Sequence, residues 1–140
     1  MGAIKRTPAD IAFSLCVRAR AEFTCERCGK YHAPDNAALH ASHHHRRGHW
    51  GIRFDPWNAE SLCYGCHSLE GGTQSRLDDV MTEARQEILI ERKNDTALGR
   101  MYTKTKGKGA IAKHFRDEYR RIMALRKEGE TGRIEFEAFY

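Results

Sequence analysis

An α+β fold, with a small cysteine-stapled core between N-terminal and C-terminal helices, is what this sequence predicts. Three observations carry it. Helical periodicity occupies both ends of the 140-residue chain, while the centre is rich in Cys, His and Gly and has no sustained period. Two Cys-x-x-Cys pairs, Cys25 to Cys28 and Cys63 to Cys66, bracket that centre. The length suits one domain, and we divide it into an N-terminal helix over 8–22, a core over 23–72 and a helical, basic extension over 73–140.

Thr7-Pro8-Ala9-Asp10 supplies a capping hydroxyl, a proline for the first turn and an acid near the helix dipole's positive end, so a helix is expected from about 8 to 21. Cys16 within it has no partner at ligand spacing and reads as a small buried thiol. Residues 37–43 fit a short strand, and Leu62-Cys63 with its neighbours a second. Between them, Arg46 to Gly51 forms a basic, turn-rich loop, and 52–56 is expected to run extended up to Pro56. Beyond Gly71-Gly72, Leu77, Val80, Met81, Ala84 and Ile88 recur at helical spacing, and Gly99 with the run 103–109 is expected to break the pattern. A last helix fits 110–127, with Ile111, Phe115, Tyr119, Ile122 and Leu125 on one face and Gly129 beyond its end.

The chain has 24 Lys plus Arg against 19 Asp plus Glu, a net charge of +5, which points toward a polyanionic partner such as DNA and equally fits a solvated basic surface. No run approaches the roughly 20 apolar residues of a membrane span, and no secretory segment is visible at the start. We therefore expect no membrane partner and a cytoplasmic protein.

Two matched Cys-x-x-Cys knuckles can direct four thiolates at one ion in a tetrahedral shell suited to zinc. Four thiolates leave no open position for water, so Cys25, Cys28, Cys63 and Cys66 are expected to hold a structural Zn2+. A redox dithiol is the competing reading for a single pair. Most of the eight histidines cluster around this staple: His40, His43, His44, His45, His49 and His67. Adjacent strand residues face opposite ways, so His43, His44 and His45 cannot all serve one ion. His67 directly follows the last cysteine of the staple, on a backbone that a metal would fix. An outward-facing helical histidine is the plain alternative.

In that order, His43-His44, Asn58 and Cys66-His67 resemble the motif of the His-Asn-His (HNH) endonucleases. More closely, the stretch from Ala12 to Gly72 is similar to the NinG/Rap recombination nucleases of lambdoid phages. The likeness runs through Phe13, Arg18-Ala19-Arg20, Cys25 to Lys30, Ser42-His43, Arg47, Arg53-Phe54-Asp55, Asn58, Cys63 to Cys66 and Glu70-Gly71-Gly72. The resemblance implies a zinc-bound ββα-metal core, a metal-dependent hydrolysis of DNA phosphodiester bonds and a catalytic Mg2+ or Mn2+. It also implies branched DNA of phage recombination as substrate, the bacterial host's cytoplasm as location, and, by the logic of junction resolution, a homodimer.

His67 stands where the NinG-like proteins have Asn, and both side chains can ligate a divalent ion. His43-His44-His45 replaces a histidine followed by an aromatic and an aliphatic residue, so the base is ambiguous. Register with that family selects His43; the general motif, with a ligand directly before its base, selects His43 as ligand and His44 as base. We adopt the second, because Ser42 would fill a ligand position poorly. The expected catalytic set is then His44, His43, Asn58 and His67, with the catalytic ion on His43 and His67 and Asn58 supporting the loop.

Arg46, Arg47 and Arg53 surround this centre as candidate phosphate contacts, and Lys113, Arg116 and Arg120 form a basic face on the last helix. Trp50 and Trp57 suit either base stacking or packing against a small core. A non-catalytic zinc module that binds nucleic acid is the rival class, and it leaves the His, Asn, His arrangement without a role.

Overall fold

A computed structural model describes residues 5–34, 36–69, 82–105 and 109–140. Among the described residues the fold is α+β, with five helices and one two-stranded sheet. Helix α1 spans Pro8–Arg20, and Thr7 closes its start through a capping box: Thr7 Oγ1 accepts the Asp10 N–H while Asp10 accepts the Thr7 N–H at 2.8 Å. The chain leaves α1 through Glu22 and Phe23, both left-handed with φ of 54° and 55°. It enters the first cysteine knuckle, where Gly29 at φ 77° allows the tight return that Cys25 and Lys30 close by a backbone hydrogen bond of 2.9 Å.

Strand β1, Leu39–His43, pairs antiparallel with β2, Ala59–Cys63, in a register that sets Leu39 opposite Cys63 and His43 opposite Ala59. A 3-10 turn at Pro56–Asn58 feeds β2, and helix α2, Tyr64–Leu69, follows it at once. Residues 52–56 do not run extended as expected. Successive turn hydrogen bonds, Ile52 N–H to His49 O and Asp55 N–H to Ile52 O, fold them into a buried loop. At Gly51 that loop meets α3, Glu83–Asn94, backbone to backbone: a Cβ there would lie 2.6 Å from the Arg92 carbonyl oxygen.

Helix α4, Thr96–Thr105, continues through Gly99, which does not break it; a break precedes it at Asp95, whose carboxylate accepts the Leu98 N–H at 3.0 Å, and α4 ends at Thr105 within the run 103–109 expected to interrupt the pattern. The expected helix across Leu77, Val80 and Met81 falls outside the described residues, as do Gly71-Gly72. Helix α5, Ala110–Lys127, buries Ile111, Ala112, Phe115 and Ile122 and packs mainly on α1. The extension is not helical to its end. Residues 133–140 form a strap without helix or strand that buries Ile134 and Phe136 and ties its backbone to Arg20 and Glu118.

Phe13 is the centre of the core, with the rings of Phe54, Phe115 and Phe136 edge-on to it at 5.9, 5.2 and 5.7 Å. Arg20, fully buried, spans the layers by donating to Pro56 O at 2.7 Å and Ala59 O at 2.6 Å while lying over Phe136. Burial brings its pKa down to about 10. Cys16 is the buried thiol expected: its S–H donates to Phe115 O at 3.1 Å, and burial pushes its pKa up to about 12. None of the described helices is long and apolar enough to cross a membrane.

Candidate functional site

The four knuckle cysteines converge. The sulfurs of Cys25, Cys28, Cys63 and Cys66 all lie within 4.8 Å of one another, with Cys28 and Cys63 3.9 Å apart. A tetrahedral ion with bonds of about 2.3 Å to sulfur sets its ligands about 3.8 Å apart, so this cluster could hold a structural metal such as zinc. Its electrostatics agree with that use. Burial acts to raise the Cys25 pKa, but N–H groups of Cys28, Cys63 and Arg27 aimed at its sulfur outweigh it and bring the thiol to about 6. Cys66 goes the other way, to about 12, through burial and then the three neighbouring sulfurs; four thiolates in this space need a cation between them. The first knuckle is also fastened to the sheet, because Glu26 N–H donates to Ser61 O and the Glu26 carboxylate accepts Ser61 N–H at 2.7 Å.

Beside the knuckles, between α1 and β1, lies a cleft of about 430 Å³. His40, His43 and His67 line it together with Arg6, Asp10, Arg18 and Arg47. His67 is carried there by α2, directly after Cys66, and His40 by β1 opposite Leu62. Their rings meet at 81°, with the two Nδ1 atoms 3.5 Å apart. His43 is held differently. Its ring rests against Phe13 at 5.6 Å, and its Nε2 is 2.9 Å from the Arg53 carbonyl oxygen. A carbonyl only accepts, so the proton sits on Nε2 and Nδ1 is the basic atom. Burial lowers the His43 pKa to about 4, outweighing the Arg53 carbonyl, so this imidazole is neutral near pH 7.

His44 is not where the expected base would have to be. It is 2% exposed, and its Nε2 lies 3.6 Å from Glu60 Oε2. His43 lines the cleft, whereas its chain neighbours Ser42 and His44 are buried. This burial corrects the expected role of His44, whose ring does not reach the cleft that His43 lines.

Asn58 is fully buried and clamps the loop that joins the strands. Its Oδ1 accepts His45 N–H at 2.8 Å, and its amide donates to the carbonyls of His45 and Ile52, both at 3.0 Å. Asp55 closes the same loop, accepting Trp57 N–H at 2.9 Å and pairing with Arg92 at 2.7 Å.

The cations sort into two kinds. Arg53 is corrected from a phosphate contact to a buried structural group: it is 2% exposed, donates to both carboxylate oxygens of Asp10 and stacks on Trp50 at 4.3 Å. Arg47 stays at the cleft, 3.9 Å from Asp10, and Arg46 is exposed on the loop beside it. Lys113, Arg116 and Arg120 are exposed on the side of α5 away from the core, where Asp117 pairs with Lys113 at 2.7 Å and Arg120 at 3.2 Å. Trp50 is half-buried and packs against the core, whereas Trp57 is 37% exposed beneath the guanidinium of Arg92.

Reading the sequence missed Arg6 and Arg18 as cleft residues and gave His40 no role. A signal was available for the arginines: Arg6, Asp10, Ser14 and Arg18 recur every four residues, the spacing of one helix face. No family model, curated protein or solved structure matches the chain.

Proposed function

We propose that the chain is a metal-dependent endonuclease of the His-Asn-His type, hydrolysing phosphodiester bonds of DNA. One observation carries the reading: a neutral histidine, His43, and a histidine fixed to the cysteine staple, His67, open into one arginine-rimmed cleft. A non-catalytic binding module has no use for a half-buried imidazole whose Nε2–H is held by a backbone carbonyl and whose Nδ1 is left basic.

In this reading Arg6, Arg18 and Arg47 hold the phosphates that flank the scissile bond. Burial and the charge of Arg6 lower the pKa of Arg18, so an anion beside them relieves a repulsion already present. His43 Nδ1 takes a proton from a water, the water oxygen bonds to phosphorus, and the bond from phosphorus to the 3′ oxygen breaks with its electron pair on that oxygen. The Arg53 carbonyl stabilises the imidazolium that forms, through the His43 Nε2–H. Asn58 contributes at one remove, by fixing the loop that presents Arg47 and Arg53. The donors on the His67 side of the cleft are imidazole nitrogens, which would suit a divalent ion, and such an ion would supply neutralisation of the charge that develops on the phosphate.

The test is nicking of supercoiled plasmid by zinc-replete protein with added Mg2+ or Mn2+. Wild type is expected to nick, and His43→Ala to lose activity by more than about a hundredfold, the usual worth of a general base. Symmetric cuts in a four-way junction would assign the branched class. Absence of nicking with any divalent ion, or full activity in both His43→Ala and His67→Ala, would overturn the reading.

A further inference from the structure

We propose that the loop between the strands carries a second anion site, built from His45, Arg46 and His49 with Lys93 of α3, and that its ligand is a phosphate of the DNA backbone. The proposal rests on the nuclease reading for DNA as the source of that phosphate, but not for the site's choice of an anion.

Backbone contacts bring the four side chains together. His49 N–H donates to Arg46 O at 3.1 Å, a turn that gathers these two residues. The rings of His45 and His49 meet edge-on at 88°, with centroids 6.5 Å apart, and Asn58 fixes His45 through both of its backbone groups. Lys93 arrives in the last turn of α3, next to Arg92, whose carbonyl oxygen makes the close approach to Gly51. Arg46 is exposed and the other three are half-buried, and among the described residues none of the four side chains forms an ion pair or a hydrogen bond. The cations of α5 differ, since Asp117 offsets Lys113 and Arg120 while Glu118 offsets Arg121. Arg46 and Lys93 have no such offset among the described residues.

Two neighbouring histidines raise the question of a metal, and the surroundings decide against one. Among the described residues, the group of three or more potential ligands that could hold an ion is the cysteine cluster, which includes neither ring. Positive charge bears on both imidazoles: burial and then Lys93 hold the His45 and His49 pKa values below the ordinary one, with His49 adding to the effect on His45 and Arg46 to that on His49. A divalent cation would meet the same repulsion, whereas an anion relieves it. The C-terminal end of α3 adds a partial negative charge of about half a unit, which the full charges of Arg46 and Lys93 outweigh. Phosphate suits the donors present: a guanidinium fork, an ammonium and ring N–H groups, of which a neutral imidazole still supplies one. Arg46 also directly precedes Arg47, which lines the cleft. Adjacent residues are about 3.8 Å apart and each strand of a duplex carries a phosphate every roughly 3.4 Å of axis, so a strand held in the cleft offers a further phosphate at the loop.

The test uses the zinc-loaded full chain without other divalent ions, with inorganic phosphate and a short DNA duplex as probes. At constant pH and ionic strength, inorganic phosphate should shift the ring resonances of His45 and His49 in NMR spectra. Lys93→Met, which keeps the stem and removes the charge, should weaken that response severalfold, and Lys93→Gln serves if the Met variant fails to retain zinc or fold. Duplex affinity measured against salt should lose about 1 from its logarithmic slope when Arg46→Ala and Lys93→Met are combined, the worth of one phosphate, while Lys93→Arg keeps the wild-type slope. Rings that shift with equimolar Ni2+ and not with phosphate, or a slope unchanged in the folded double variant, would each overturn the proposal. Plasmid nicking with added Mn2+, run in parallel, separates the two claims: shifting rings and a reduced slope in a protein that never nicks sink the nuclease and leave the anion site standing, and nicking with an unchanged slope in the double variant does the reverse.

Discussion

Asn58, itself fully buried, holds both backbone groups of His45, accepting its N–H at 2.8 Å and donating to its carbonyl at 3.0 Å. One side chain thereby does for the loop what a strand partner does for a sheet. Its own carbonyl accepts the His44 N–H at 2.7 Å, so the two residues that follow His43 both depend on Asn58.

Replacing Asn58 with Ala should cost about 3 kcal/mol, because an N–H and two carbonyls lose their partner in a buried place. Asn58→Asp should be no better despite its shape, since a carboxylate oxygen would then face the carbonyls of His45 and Ile52. Urea unfolding measures both. An Asp variant as stable as wild type would show that the amide's donor side contributes nothing.

The Asp10 and Arg53 pair predicts a pH dependence. Burial acts to raise the Asp10 pKa, but the hydrogen bonds from Arg53 and Thr7 and the charge of Arg53 prevail and hold it below the usual value. A carboxyl depressed in the folded state binds fewer protons there than when unfolded, so its stabilisation is complete above the unfolded pKa and is lost as pH falls through the folded one. Asp10→Asn should therefore cost about 3–5 kcal/mol, leaving Arg53 buried and unpaired, and the difference from wild type should stay constant from about pH 8 to pH 5. A gap that closes within that range would mean that the carboxyl is not held low.

How far the sequence shows this site depends on which residues signal locally. The Cys pairs signal by spacing alone, and α1 by Thr7, Pro8 and Asp10 at its start. α5 is legible from an apolar stripe sustained over five turns. The difference between His43 and His44 is not, because which of two adjacent histidines is buried shows only once β1 is packed in the fold. Arg53 looks like any loop cation until Asp10, far away in sequence, is seen beneath it. The closing strap did leave a trace, Ile134 and Phe136 alternating with Arg133, Glu135 and Glu137, but a period-two pattern this short has no weight until a core is present to receive it.

The last prediction concerns the staple and how far its loss spreads. One zinc per chain is expected, and Cys63→Ser should remove it. Structural zinc sites contribute about 10–16 kcal/mol of apparent binding energy to folding, comparable to or larger than the roughly 5–15 kcal/mol by which a domain is stable, so what the metal ties cannot stay folded without it. What it ties is the first knuckle, β2 and the start of α2. The packing of Phe13 and Val17 on α1 against Phe115 and Ile122 on α5 needs no cysteine ligand, although Phe54 and Leu62 would leave that core. Chelation should therefore abolish hydrogen-exchange protection in 23–69 first and leave partial protection in α1 and α5, giving two transitions where the zinc-loaded protein shows one. Cys16→Ser, whose hydroxyl can still donate to the Phe115 carbonyl, should change neither zinc content nor this order. Zinc-free protein that melts in a single transition at the wild-type temperature would refute the staple, and simultaneous loss of protection in 23–69 and in the helix pair would show that the helices hold together only through the metal-bound core.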